Sequence, residues 1–341
     1  MILEYGVIHD QQQHANDDDR DCSDSLHDIP VSPPEHPSFS ASMNIESEDP
    51  SFVYSLLQDE KTTVDWDKVR KWLWSATVDA RRAAMYIRGT HDVTVLHLLA
   101  KQPQVPDAIW TSLLQAAPEV ASWTDAHGWL PLHHAAAKTA GNSLALQLLV
   151  EAPGAGVTSP DTQGRTPLHF LATREATLQD VEYLQEAASI PDAGGMLPLH
   201  YAAAYGSTIL KSLAEAFPEA LTAMEQHGRT CMHLAMVNAY RENSPIVLQY
   251  LLQEAKETIN ARDSDGNLPL HLMAMNLKVY RKQNRYYSAD RYVHVNRCLQ
   301  MYLDAEPYPA ADFLTVLQDL PDVVRPTAVV TKHVRTILNQ K

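Results

Sequence analysis

From Val64 onward, apolar residues recur at helical spacing, with Trp66, Val69 and Leu73 opening the pattern. Longer stripes follow at Ile109-Leu113-Leu114, Leu146-Leu148-Leu149, Val181-Leu184, Leu210-Leu213 and Val247-Tyr250-Leu251-Leu252, each the buried face of an amphipathic helix. Between them lie shorter Ala-rich stretches such as Leu132 to Lys138, read as inner helices that pack closely. The long stripes stop in the same way. Ala117-Pro118-Glu119, Ala152-Pro153 and Phe217-Pro218-Glu219 place proline just past a helix, where it cannot continue one.

The segments joining these helices are copies of one another. Five stand out: Asp125 to Ala135, Asp161 to Leu171, Asp192 to Ala202, Glu225 to Ala235 and Asp263 to Met273, each carrying an acid, a glycine three residues on and a histidine at the ninth position. A degenerate sixth is Thr94-Val-Leu-His97. The aligned histidines His97, His133, His169, His200, His233 and His271 are spaced 36, 36, 31, 33 and 38 residues apart. The chemistry of the unit is local. The acid caps backbone N–H groups of a tight turn and the glycine accepts a positive φ. Thr or Leu followed by Pro then opens a helix, with Thr as a capping hydroxyl where present. One such unit cannot bury its own apolar face, so the copies must stack.

The unit resembles the ankyrin repeat, whose period is about 33 residues and whose signature is Thr-Pro-Leu-His-x-Ala. The resemblance covers roughly residues 64–305. Asp65-Trp66-Asp-Lys-Val69-Arg70 is similar to the lead-in helix of an ankyrin group that favours Leu-Pro-Leu-His, and Leu320-Pro-Asp-Val-Val-Arg325 with Val329 to Leu338 is similar to its closing helices. Some copies depart from the pattern. The first has Asp92 and Val95 where the others carry Gly and Pro, which suits a terminal, capping unit; the fifth has Cys231 for Pro. In the sixth an insertion, Lys278 to Arg291, separates the inner helix from the stripe Val293-Val295-Cys298-Leu299-Tyr302.

Charge divides the chain. Residues 1–61 hold 14 acidic side chains against Arg20 and Lys61, whereas 28 acidic and 25 basic residues share the remainder. With Asp17-Asp18-Asp19, a glutamine run and a Ser- and Pro-rich stretch to Pro50, this arm buries too little apolar surface to offset its ordering entropy and reads as disordered. No apolar run approaches the length of a bilayer span and the first residues lack the pattern of a signal peptide, so the chain is expected inside the cell. Cys22, Cys231 and Cys298 form no disulfide framework.

Sixteen histidines raise the question of a metal. Six of them occupy one position of a repeated unit, where the imidazole can bond neighbouring backbone, and their spacing supplies no short-range ligand set. Asp263-Ser-Asp265-Gly266 begins like a calcium loop, but Leu268 and Ala274 stand where Gly and Glu are needed. No phosphate loop, dinucleotide fingerprint, zincin motif or nucleophile elbow occurs. No catalytic residue, cofactor or metal is therefore expected. The insertion sets Lys278, Arg281, Lys282, Arg285 and Arg291 against Asp290, interleaved with Tyr280, Tyr286, Tyr287 and Tyr292. It reads first as a solvated loop between two helices; as a binding segment, it ranks an acidic or phosphorylated protein above nucleic acid.

The resemblance implies a groove formed by hairpin tips and inner helices. The positions it points there are His127, Trp129 and Lys138 in the second copy, then Gln163, Arg165 and Arg174 in the third. Met196 and Tyr205 follow in the fourth, His227, Arg229 and Asn238 in the fifth, and Asp265 and Asn267 in the sixth. Trp, Tyr and Arg are the side chains that dominate binding energy; for Trp129 and Met196 packing on a neighbouring hairpin is the alternative. The expected molecule is thus an all-α solenoid of helix-turn-helix repeats with β-hairpin loops. A disordered acidic arm spans 1–61, the repeats 62–305 and capping helices 306–341. It is expected to act as a monomeric, non-catalytic protein-binding scaffold or adaptor in the cytoplasm, with the nucleus as second location, engaging neither membrane nor nucleic acid. The alternative is a regulatory subunit whose acidic arm recruits a partner or occupies the groove, and an unrecognised enzyme is a distant third.

Overall fold

The structure, a computed structural model, describes residues 49–58, 63–138, 143–282 and 289–305. Among these residues there are fifteen α-helices and no strand. Three helices lead: α1 (Ser51–Gln58), α2 (Trp66–Ser75) and α3 (Val78–Met85). Six inner and outer pairs follow: α4 (Val95–Lys101) with α5 (Asp107–Ala116), α6 (Pro131–Ala137) with α7 (Ser143–Glu151), and α8 (Pro167–Leu171) with α9 (Leu178–Leu184). The chain continues with α10 (Pro198–Tyr205) and α11 (Leu210–Ala216), α12 (Cys231–Val237) and α13 (Ser244–Glu254), and α14 (Pro269–Lys282) and α15 (Ala289–Ala305). The inner helices α4, α6, α8, α10, α12 and α14 stack in chain order; in the outer row α5 packs on α7, α7 on α9, α9 on α11, and α13 on α15. Buried Ala135, Ala136, Ala202, Ala203 and Ala235 let the inner row approach closely.

The lead-in helix begins where expected, because the Asp65 carboxylate accepts the N–H groups of Asp67 and Lys68 at 3.1 Å. Ahead of it the structure corrects the arm's boundary. Residues 51–58 form α1, whose Val53, Tyr54 and Leu57 are buried in the common core and which packs on α4 and α3. Composition averaged over the acidic arm hides this short stripe. The first repeat is consequently covered, by α1 in the inner row and by α3 against α5, and is not the terminal layer its degenerate letters suggest. Asp92 there adopts the left-handed φ of +59° that glycine holds in the other hairpins, a conformation Asp tolerates better than most residues.

The repeated histidine is a clasp with two ends. In every copy its Nδ1 accepts the backbone N–H three residues upstream, from Thr94 to His97 at 3.1 Å, Leu130 to His133 at 3.0 Å and Thr166 to His169 at 3.0 Å. Leu197, Thr230 and Leu268 do the same for His200, His233 and His271. Where that residue is Thr its hydroxyl also meets Nδ1, at 2.8 to 3.0 Å, while the backbone bond alone serves the copies with Leu. With Nδ1 an acceptor, Nε2 carries the proton and donates to the next repeat: His97 to the Trp129 carbonyl at 2.9 Å, His133 to Arg165 at 3.1 Å, His169 to Met196 at 2.9 Å, His200 to Ala223 at 3.1 Å and His233 to Asn267 at 3.2 Å. Burial pushes the pKa of His97, His133 and His200 down to about 4.

The hairpins are turns bonded to one another. Ala126 N–H donates to His91, Thr162 to His127, Ala193 to Gln163, Gln226 to Gly194 and Ser264 to His227, at 2.8 to 3.3 Å. The insertion lengthens helices on both its sides, as α14 runs to Lys282 and α15 begins at Ala289; its centre at 283–288, the arm over 1–48, Cys22 and the closing segment 306–341 lie outside the described residues. Cys231 and Cys298 are buried thiols whose pKa burial pushes up to about 12.

Candidate functional site

Each hairpin is built on a carboxylate. One oxygen of Asp125 accepts the N–H groups of His127 and Trp129 at 2.8 and 2.9 Å, and Asp161, Asp192, Glu225 and Asp263 treat the residues two and four positions on in the same way. What meets the second oxygen differs between copies. Asp125 receives His134 Nε2 at 3.0 Å and Asp192 the Tyr201 hydroxyl at 2.7 Å, from equivalent positions of the inner helices α6 and α10. Asp161 receives the Trp129 indole at 3.0 Å together with Arg165 Nε and Nη2 at 3.0 and 2.8 Å. Asp263 meets Asn267 Nδ2 at 3.3 Å and Arg229 at 3.9 Å. Burial works against the Asp125 charge, but the His134 bond and the N–H groups of Trp129 and His127 outweigh it and hold the pKa at about 2.

Between the first three hairpins and the inner helices lies a recess of about 350 Å³. His91 and His127 stand at its rim with rings 6.1 Å apart and nearly parallel. Trp129 forms a wall, its ring 4.8 Å from His134 and 4.4 Å from Phe170, and the Arg165 guanidinium lies over Phe170 at 4.6 Å. Lys101, Thr162 and Gln163 complete the lining.

Spacing along the chain gives no hint of a ligand cluster, yet the fold gathers buried His97, Asp125 and His134 with donor atoms within 4.8 Å of one another. The donor set does not fit a divalent cation. Both His97 nitrogens are engaged, Nδ1 by the Thr94 N–H and Nε2 by the Trp129 carbonyl, and moving its proton to Nδ1 would set two donors against each other. His134 Nε2 already faces Asp125.

The positions named from the repeat pattern divide into three groups. His127, Lys138, Gln163 and Asp265 are exposed, and Arg165, Tyr205, His227, Arg229 and Asn267 are half-buried, with Arg241 stacked over the Tyr205 ring at 4.7 Å. Asn238 is half-buried and turned back on its own helix, donating to the Leu234 carbonyl at 3.1 Å. One expectation fails. Arg174 is 9% exposed because its Nε caps the C-terminal end of α6 through the Ala136 carbonyl at 2.6 Å. Trp129 and Met196 take their alternative reading, packed into the stack of hairpins, Met196 at 8% exposure. The pattern missed His134 and Lys101, whose signal is that they depart from the repeat: the other copies carry Leu98, Phe170, Tyr201, Leu234 and Leu272 at the first position, and uncharged residues at the second.

Residues 134–222 match the family model for ankyrin repeats in three copies, and residues 227–264 match that for a single ankyrin repeat. The chain carries ankyrin repeats. Ankyrin repeats are in general protein–protein interaction modules, and no helix among the described residues is long and apolar enough to cross a membrane.

Proposed function

We propose that this ankyrin-repeat protein is a non-catalytic scaffold or adaptor that binds a protein partner across its hairpin tips and inner helices. The observation that carries the reading is the bonded state of the hairpins. Backbone N–H groups and carbonyls link each tip to the next, so that side chains such as His127 and Gln163 are presented at fixed spacing and little order remains to be gained on binding. The groups that would serve catalysis are engaged structurally: five motif imidazoles, His97 to His233, hold backbone at both nitrogens, and the buried thiols are far from their reactive form.

A photo-crosslinking side chain placed at Gln163 or Asp265 should capture a partner from the cell, and one placed at Lys211 on α11 in the outer row should not. Capture from Lys211 alone, or from none of the three, would overturn this reading.

A further inference from the structure

We infer that the recess between the first three hairpins takes a carboxylate side chain, Asp or Glu, of the bound protein segment; this rests on the reading above and deepens it. The carboxylates at the recess are spent. Asp125 is saturated by two backbone N–H groups and His134, and Asp161 behind it by two backbone N–H groups, Trp129 and Arg165. What remains to meet an incoming group is the Lys101 ammonium, a donor only, beside the Thr162 hydroxyl, the Gln163 amide and the His91 and His127 imidazoles, each of which can donate. Arg165 is neutralised by Asp161 at 2.8 Å, whereas no carboxylate among the described residues forms an ion pair with Lys101.

The repeat itself provides the control. The inner-helix position of Lys101 reads Ala137, Thr173, Ala204, Val237 and Met275 in the following copies, so a cation stands there only at the first junction and the face turns apolar toward the last. His134 likewise replaces the apolar or aromatic residue of its counterparts, which spends Asp125 on a neutral imidazole instead of on Lys101. With that buried carboxylate engaged elsewhere, the Lys101 ammonium is left for a ligand. One uncompensated charge matches a singly charged carboxylate better than a phosphate dianion.

Fluorescence anisotropy of the full chain with labelled pentaglutamate, pentaglutamine and a Gly-Gly-phosphoserine-Gly-Gly peptide tests the assignment. Pentaglutamate should bind at least tenfold more tightly than pentaglutamine at low salt, with the gap narrowing as salt rises. Lys101→Gln should abolish that preference and Lys211→Gln should leave it intact. Gln163→Glu, at an exposed rim position, should weaken pentaglutamate binding whether or not Lys101→Gln folds. Equal binding of the two homopeptides, an unchanged preference in Lys101→Gln or Gln163→Glu, or tighter binding of the phosphopeptide would overturn the inference. If crosslinking from Gln163 persists while pentaglutamate fails to bind, the carboxylate site falls and the partner-binding face stands.

Discussion

The Trp129 indole N–H donates to the Asp161 carboxylate at 3.0 Å, adding a side-chain bond to the Thr162 N–H to His127 carbonyl bond that joins the same two hairpins. Trp129→Phe keeps the ring against Phe170 and loses the charge-assisted bond, which should cost about 1 to 2 kcal/mol. Trp129→Ala also loses the packing and should cost about 3 kcal/mol. Urea denaturation measures both; an alanine variant as stable as the parent would mean that the ring contributes to binding alone.

Truncation locates the true start of the folded unit. A chain beginning at Thr62 lacks Val53, Tyr54 and Leu57, which are buried in the core, and burial of such side chains is worth about 1.5 to 3 kcal/mol each. A chain beginning at Asp49 retains them. The longer one should melt about 10 °C higher, on the scale of about 2 °C per kcal/mol for a chain of this size. Equal melting temperatures would detach α1 from the core.

Two glycines separate strain from collision. Gly164 and Gly266 have φ of +79° and +80°, but a Cβ on Gly164 would sit 2.6 Å from the Ala193 backbone nitrogen, while a Cβ on Gly266 would have nothing within 4 Å. Gly266→Ala should cost about 1 to 2 kcal/mol, the left-handed penalty. Gly164→Ala should cost clearly more, since the next hairpin must move. Thermal melts of the two variants side by side decide it, and equal losses would refute the collision.

Acid should unlock the stack. His97, His133 and His200 have folded pKa values of about 4 against 6.5 for the free side chain, so the unfolded chain binds more protons between those values. The stabilisation is full above pH 6.5 and is lost as pH falls toward 4, with a slope of about 1.4 kcal/mol per pH unit for each histidine. Denaturation at pH 7, 6 and 5 should show stability falling ever more steeply. His133→Gln should flatten the curve, and a flat curve in the parent would contradict the neutral clasp.

The repeated letters of the chain carried the helix pairs, the turn geometry and the motif histidines, because each of those is decided within a few residues. Contacts between copies were less legible. Arg174 reads as a groove cation until the Ala136 carbonyl, 38 residues away, is brought to its guanidinium, and the choice between groove and packing for Met196 is made only when the hairpins stack around it. His134 and Asp125 are nine residues apart, and His97 joins them only through the inner-row stacking of α4 on α6. The α1 stripe was concealed for another reason. Its few apolar residues sit inside an acidic segment whose average composition argues for disorder.

Each motif imidazole from His97 to His233 spends Nδ1 inside its own repeat and Nε2 on the repeat that follows, and this polarity shapes how the protein would respond to tension. Detaching the last repeat breaks one imidazole-to-carbonyl bond and leaves every remaining inner helix with its own N-terminal cap, so the rest of the stack loses only a neighbour. Under a pulling force the molecule should therefore extend in steps, one repeat at a time from an end, and regain each step when slackened, behaving as a molecular spring.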